Sequence, residues 1–202
     1  MCTNYYLDAL NDVPSRWYID TCSVMKYWIL EKFIERKQLL LNSDIRIIVL
    51  KQVYEELLRK QDSKKDETAE NAITGFKLIE ENQDLFEIQG YNQETRCDEA
   101  FADKDIIRQL SIYQNDYVQV LITDDIALAH DAYMLNNRKS FRANKIYVCW
   151  VDLDGDLQRS KAAYEEKPEP IIKVEEKIVI QEVPKDNCHF SSYIFRQAES
   201  EH

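Results

Sequence analysis

Short runs of β-branched and aliphatic residues alternate along this chain with amphipathic helical stretches, and several of the runs end at a carboxylate. RWYI closes at Asp20, and a long apolar-rich helical pattern follows from Ser23 to about Leu41. IRIIVL, from Ile45 to Leu50, leads into the helical KQVYEELLRK, and a charged, helix-favouring stretch spans Lys64 to Glu81. A short strand is expected at LFEIQ, a helix at DKDIIRQLSIY, a strand at VQVLIT, a helix at DIALAHDAYML and a last strand at Lys145–Val151. Near-continuous apolar runs are buried on both faces, and their alternation with helices predicts an α/β domain around a mostly parallel sheet.

The pattern weakens towards the C-terminus, where three of the four prolines fall (Pro168, Pro170 and Pro184). We therefore expect a domain over residues 1–155 and an extended tail over 156–202, in which IIKVEEKIVIQEV forms an edge strand or hairpin. No apolar run approaches the roughly 20 residues of a membrane span, and no signal-peptide core is present at the N-terminus. The five cysteines stand singly without a CxxC pair, which predicts reduced thiols and a cytoplasmic setting.

Scarce residue types exclude whole chemistries. The three glycines, Gly75, Gly90 and Gly155, allow neither GxGxxG nor a Walker loop. The three histidines lack zinc-ligand spacing, and nothing supports a Ser-His-Asp or Cys-His site. Chemistry in this chain is left to carboxylates.

In open parallel sheets, ligands bind beyond the carboxyl ends of the strands. Asp20 ends the first run, and Asp124 and Asp125 end VQVLIT. Helix phase selects two more acids. Val53 and Leu57 set an apolar face that Glu56 borders and Glu55 avoids, and Asp103 shares a face with Ile106, Ile107 and Leu110 while Asp105 does not. The expected cluster is Asp20, Glu56, Asp103 and Asp125, with Asp124 and Asp105 in reserve. Acids gathered at one rim repel one another unless a cation neutralises them, and all-oxygen donors suit Mg²⁺ or Mn²⁺. Such a site activates a water, and two ions about 4 Å apart also stabilise the leaving oxygen of a phosphodiester. Against this stands capping: Asp20, Asp103 and Asp125 each precede a helix, where a carboxylate satisfies free amides.

The acids fall within WYIDTCSVM, VYEELLR, FADKDIIRQL and LITDDIALAHDA, and in this order the chain resembles PIN-domain nucleases from about Arg16 to Val151. The resemblance implies a three-layer α/β/α fold and divalent-metal cleavage of RNA by Asp20, Glu56, Asp103 and Asp125. It also implies that Thr123 holds a carboxylate or water beside the last acid. Small PIN proteins include toxins restrained by an antitoxin, so an antitoxin or other protein partner, and a homodimer, are compatible with this reading.

A net charge of −11 confines polyanion binding to local clusters of cations. NNRKSFRANK carries Arg138, Lys139, Arg142 and Lys145 without an acid, and Phe141 suits base stacking; RKQDSKK, from Arg59 to Lys65, is the weaker candidate. DLDGD after the last strand imitates a phosphatase nucleophile loop but fits a solvated turn better. Two other functions compete with the ribonuclease: a non-catalytic PIN-like interaction module and a structure-specific DNA nuclease.

Overall fold

The computed structural model describes residues 13–41, 44–90, 102–137 and 143–160. Its sheet comprises β1 (Ser15–Ile19), β2 (Ile47–Leu50), β3 (Phe86–Gln89), β4 (Val118–Ile122), β5 (Ile146–Val151) and β6 (Leu157–Arg159). The strand order is β3-β2-β1-β4-β5-β6, parallel except for the antiparallel β5–β6 edge. The helices are α1 (Thr21–Met25), α2 (Tyr27–Glu35), α3 (Lys37–Leu41), α4 (Lys51–Gln61), α5 (Asp66–Glu81), α6 (Ala102–Tyr113) and α7 (Ile126–Met134).

The apolar runs became the strands because only a sheet covered on both faces buries every side chain of such a run. All four residues of β2 are buried, as are Trp17, Tyr18 and Ile19 of β1 and Gln119 to Ile122 of β4. Right-handed crossovers put the helices between β1 and β3 on one face of the sheet and α6 and α7 on the other. On that second face the Gln119 amide donates to the Leu110 carbonyl at 2.7 Å, and the Arg16 guanidinium lies 3.9 Å from the centroid of the Tyr113 ring. The result is the three-layer α/β/α architecture.

Two expectations are corrected here. The helix predicted from Ser23 to Leu41 is three shorter ones, because Lys26 leaves helical geometry at ψ 54° and Arg36 forms a second bend. Both break residues are held by ion pairs with distant acids, Lys26 with Asp124 and Arg36 with Asp156. The second correction concerns Glu55, which does not point freely to solvent. Its side chain is only 12% exposed, beside Lys51 at 3.6 Å, because α4 also contacts β3 as well as α5.

The DLDGD segment forms the turn between β5 and β6. Asp152 accepts from the Asp154 and Asp156 amides at 3.0 and 2.9 Å and from the Gln158 amide at 2.6 Å. Gly155 sits there at φ +81°, with Lys32 backbone packed against it. Among the described residues, no helix is long and apolar enough to cross a membrane. The tail from residue 161 onward lies outside the described residues.

Candidate active site

Strand order reverses between β1 and β4: the chain leaves β1 towards β2 and β4 towards β5. Connections diverging from neighbouring strands leave a crevice at their carboxyl ends, the usual ligand position in such sheets. Ile19 pairs with Ile122, so the residues that follow, Asp20 and Thr123, emerge side by side. The Asp20 amide donates to the Ile122 carbonyl at 3.1 Å, and the Thr123 hydroxyl donates to Asp20 Oδ2 at 3.0 Å. Thr123 Oγ1 in turn accepts from the Asp125 amide at 3.0 Å. One hydroxyl thus joins the ends of both strands.

The crevice is a cleft of ≈ 1240 Å³. Asp20, Glu56, Asp103 and Asp125 all line it, contributed by the end of β1, by α4, by the first turn of α6 and by the start of α7. Arg59, Lys60, Lys64 and Lys65 also line it, from the last turns of α4 and the turn into α5.

Asp20 is the most buried of these acids, at 1% exposure. Burial, with like charge from Asp103 and Glu56, pushes its carboxyl up to about 6 against the opposing hydrogen bond from Thr123. Asp103 is exposed, contrary to its expected place on the apolar side, because the buried stripe of α6 runs through Ala102, Ile106 and Leu110. It is raised as well, by partial burial and by the charges of Asp125 and Glu56. Asp125 Oδ1 caps α7, accepting from the Ala127 and Leu128 amides at 2.7 and 3.0 Å. Glu56 accepts from the Thr21 hydroxyl at 2.9 Å and pairs with Lys60 at 3.3 Å.

The two reserve acids are placed elsewhere. Asp124 pairs with Lys26 at 3.0 Å and accepts from Ser23 at 3.4 Å, and it does not line the cleft. Asp105 also lies off the cleft; burial raises its carboxyl and Arg108 opposes that. Of the basic segment expected to contact RNA, Arg138, Lys139, Phe141 and Arg142 lie outside the described residues. Lys145 precedes β5, and its carbonyl accepts from the Gln119 amide near the start of β4. It therefore sits at the opposite rim of the sheet, roughly 16 Å from the acids at about 3.3 Å per residue.

Thr21, Cys22 and Thr68 line the cleft and escaped the sequence reading, whereas Lys60 lies within the weaker basic candidate, Arg59 to Lys65, without having been tied to Glu56. That tie was legible, since Lys60 stands one helical turn after Glu56. Thr21 and Cys22 carried no signal beyond adjacency to Asp20. Burial of the Cys22 thiol and the charges of Asp20 and Asp125 push it up to about 12, so it stays protonated at neutral pH.

The donor set fits a hard divalent cation. A carboxylate almost devoid of solvent, whose burial and like-charged neighbours together outweigh its hydrogen bonds from the Thr123 hydroxyl and the Thr21 backbone, is relieved by a cation. Among the described residues, no three potential ligands already stand together as a ready-made cage.

A family model described as PIN domain matches residues 17–150. Among solved structures, the chain is similar to one titled as the PIN domain endonuclease Utp24, at 16% identity and TM-score 0.45, covering 73% of this chain and 93% of that one. No curated protein matches the sequence significantly. Because the family model takes in residues 17–150, well over half of the chain, with all four acids of the cleft, this chain belongs to the PIN domain family.

Proposed function

We propose that the protein is a divalent-metal-dependent endoribonuclease. One observation carries this reading: four carboxylates from separate elements share a single cleft with four basic residues at the switch point of the sheet. The acids suit a cation, and the bases suit a phosphate backbone despite the overall negative charge.

Mg²⁺ or Mn²⁺, held by Asp20, Asp103 and Asp125, would lower the pKa of a bound water and offset charge on the phosphate. The residues themselves do the remaining work. Thr123 orients Asp20 by donating to it and receives the Asp125 amide, so the two carboxylates keep a fixed separation. Asp125 caps α7 through Oδ1, which leaves Oδ2 outside the cap. Arg59, Lys64 and Lys65 hold the strand beyond the cleavage point. In the hydrolysis, the water oxygen bonds to phosphorus, the bond to the leaving ribose oxygen breaks, and that oxygen gains the proton the water loses. The free Cys22 and Cys149 fit a reducing, cytoplasmic setting.

A non-catalytic interaction module is the competing reading, favoured by the two amides that Asp125 satisfies as a plain helix cap. Asp103→Asn separates the two. This residue is exposed, so the fold tolerates the change. Mn²⁺-stimulated cleavage of single-stranded RNA should fall about a hundredfold or more, the scale of losing one electrostatic contributor, with the thermal melt unchanged. Full activity in the variant refutes the assignment. A wild-type protein that neither cleaves nor binds Mn²⁺ at millimolar concentration supports the module. Preferential cutting of flapped DNA would move the substrate to DNA.

A further inference from the structure

The four carboxylates of the cleft are not equally open to a cation. Asp20 Oδ2 has the Thr123 hydroxyl, and Asp125 has one oxygen outside its helix cap. Asp103 is exposed at the cleft wall. Glu56 differs from all three in facing a side-chain ammonium. Oε2 accepts from the Thr21 hydroxyl at 2.9 Å, and Oε1 faces the Lys60 ammonium at 3.3 Å. A positive charge therefore already stands at Glu56.

On a bare helix surface, such a pair one turn apart would be unremarkable and weak. Here the pair lines the cleft, with the Lys60 and Glu56 side chains 36% and 29% exposed. Thr21, from the helix after β1, reaches across to fix the carboxylate, and both Glu56 and Lys60 line the same cleft as the other acids. Glu56 and its own hydroxyl donor thus hold an ammonium opposite the cation-suited trio. A divalent ion ligated by Glu56 would have to displace Lys60 or sit beside its like charge.

We propose that this cleft takes one divalent ion rather than two, and that the Lys60 ammonium, anchored on Glu56, supplies the second positive charge to a non-bridging oxygen of the scissile phosphate. The inference rests on the nuclease reading and assigns within it the roles of Glu56 and Lys60. Glu56 is then a positioning residue, acting through Lys60. The arrangement replaces a second metal by a tethered side-chain cation, which fills its place at any metal concentration.

The test counts ions as well as turnover. Calorimetric titration of the full chain with Mn²⁺ should give one ion per wild-type molecule and two for Lys60→Met, in which Glu56 is released to a second ion. Cleavage of single-stranded RNA by Lys60→Met should fall at least tenfold in kcat at low Mn²⁺ and recover in part as Mn²⁺ is raised. Lys60→Arg, which keeps the charge, should bind one ion and retain most of the activity. A purely structural Lys60 would produce neither the extra ion nor the recovery. Two ions in the wild type, or one ion in both wild type and Lys60→Met, overturns the proposal while leaving the nuclease reading in place. Absence of Mn²⁺ binding by the wild type overturns both.

Discussion

Replacing Asp20 by Asn should stabilise the metal-free protein at alkaline pH, even though it removes a central residue of the candidate site. The side chain is almost wholly buried, and burial together with Asp103 and Glu56 raises its carboxyl from 3.8 to about 6. At about 1.4 kcal/mol per pH unit, ionised Asp20 then costs the folded state about 3 kcal/mol relative to the unfolded chain. Stability contributed by the protonated form is fully present below 3.8 and is lost as pH rises through about 6. Asn stays neutral over this range and offers Thr123 an amide oxygen in place of the carboxylate oxygen it now meets at 3.0 Å. Urea unfolding with a chelator present, followed by fluorescence of the buried Trp17, compares the two proteins at pH 4 and pH 8. The stability of the variant minus that of the wild type should grow by about 2.4 kcal/mol between those two values, because the unfolded carboxyl is already partly ionised at pH 4. Added Mn²⁺ should close the gap at pH 8 by stabilising the wild type alone. A stability difference that does not change with pH would mean that Asp20 ionises without penalty, and the electrostatic case for a cation in the cleft would be lost.

Three other outcomes are expected. Because Asp20 must give up its proton to bind a cation, Mn²⁺ affinity measured by calorimetry should be flat above about 6 and fall roughly tenfold per pH unit below it. Changing Lys64 and Lys65 together to Ser should weaken RNA binding and lower the slope of log affinity against log salt by about 1.4, if each lysine meets one phosphate of a single strand. Gly75→Ala should lower the thermal melt, since a Cβ there would stand 2.5 Å from the Val24 carbonyl oxygen. Overpacking of this kind costs about 1–3 kcal/mol, and because α1 carries Thr21 and Cys22 the loss should extend to the cleft.

How far the site could be read in advance differs residue by residue. Asp20 and Asp125 were legible because a buried apolar run must end where the sheet ends, and the residue after it then sits on the rim. Glu56 followed from the phase of Val53 and Leu57. Asp103 was chosen for being on the buried side of its helix, yet it lies exposed and reaches the cleft from the helix start. Its position came from where α6 begins, not from its burial. The cationic wall was weighted towards residues 136–145, of which 138–142 lie outside the described residues; among the described residues, Arg59, Lys60, Lys64 and Lys65 are the bases that line the cleft.

The chain alone was enough to specify an α/β domain with a mostly parallel sheet, because apolar periodicity is a local property, and residue scarcity made carboxylates the expected chemistry. Strand order was not local. Only the folded arrangement put β1 beside β4, which made neighbours of Asp20 and Thr123, 103 positions apart. The same packing turned Asp124 towards Lys26 and Asp125 towards the cleft, a choice that two adjacent aspartates cannot reveal. It also set Thr21 and Lys60 on the two oxygens of Glu56. Hydrogen bonds and ion pairs between distant segments depend on geometry to within an ångström, and that geometry exists only once the sheet has closed its register.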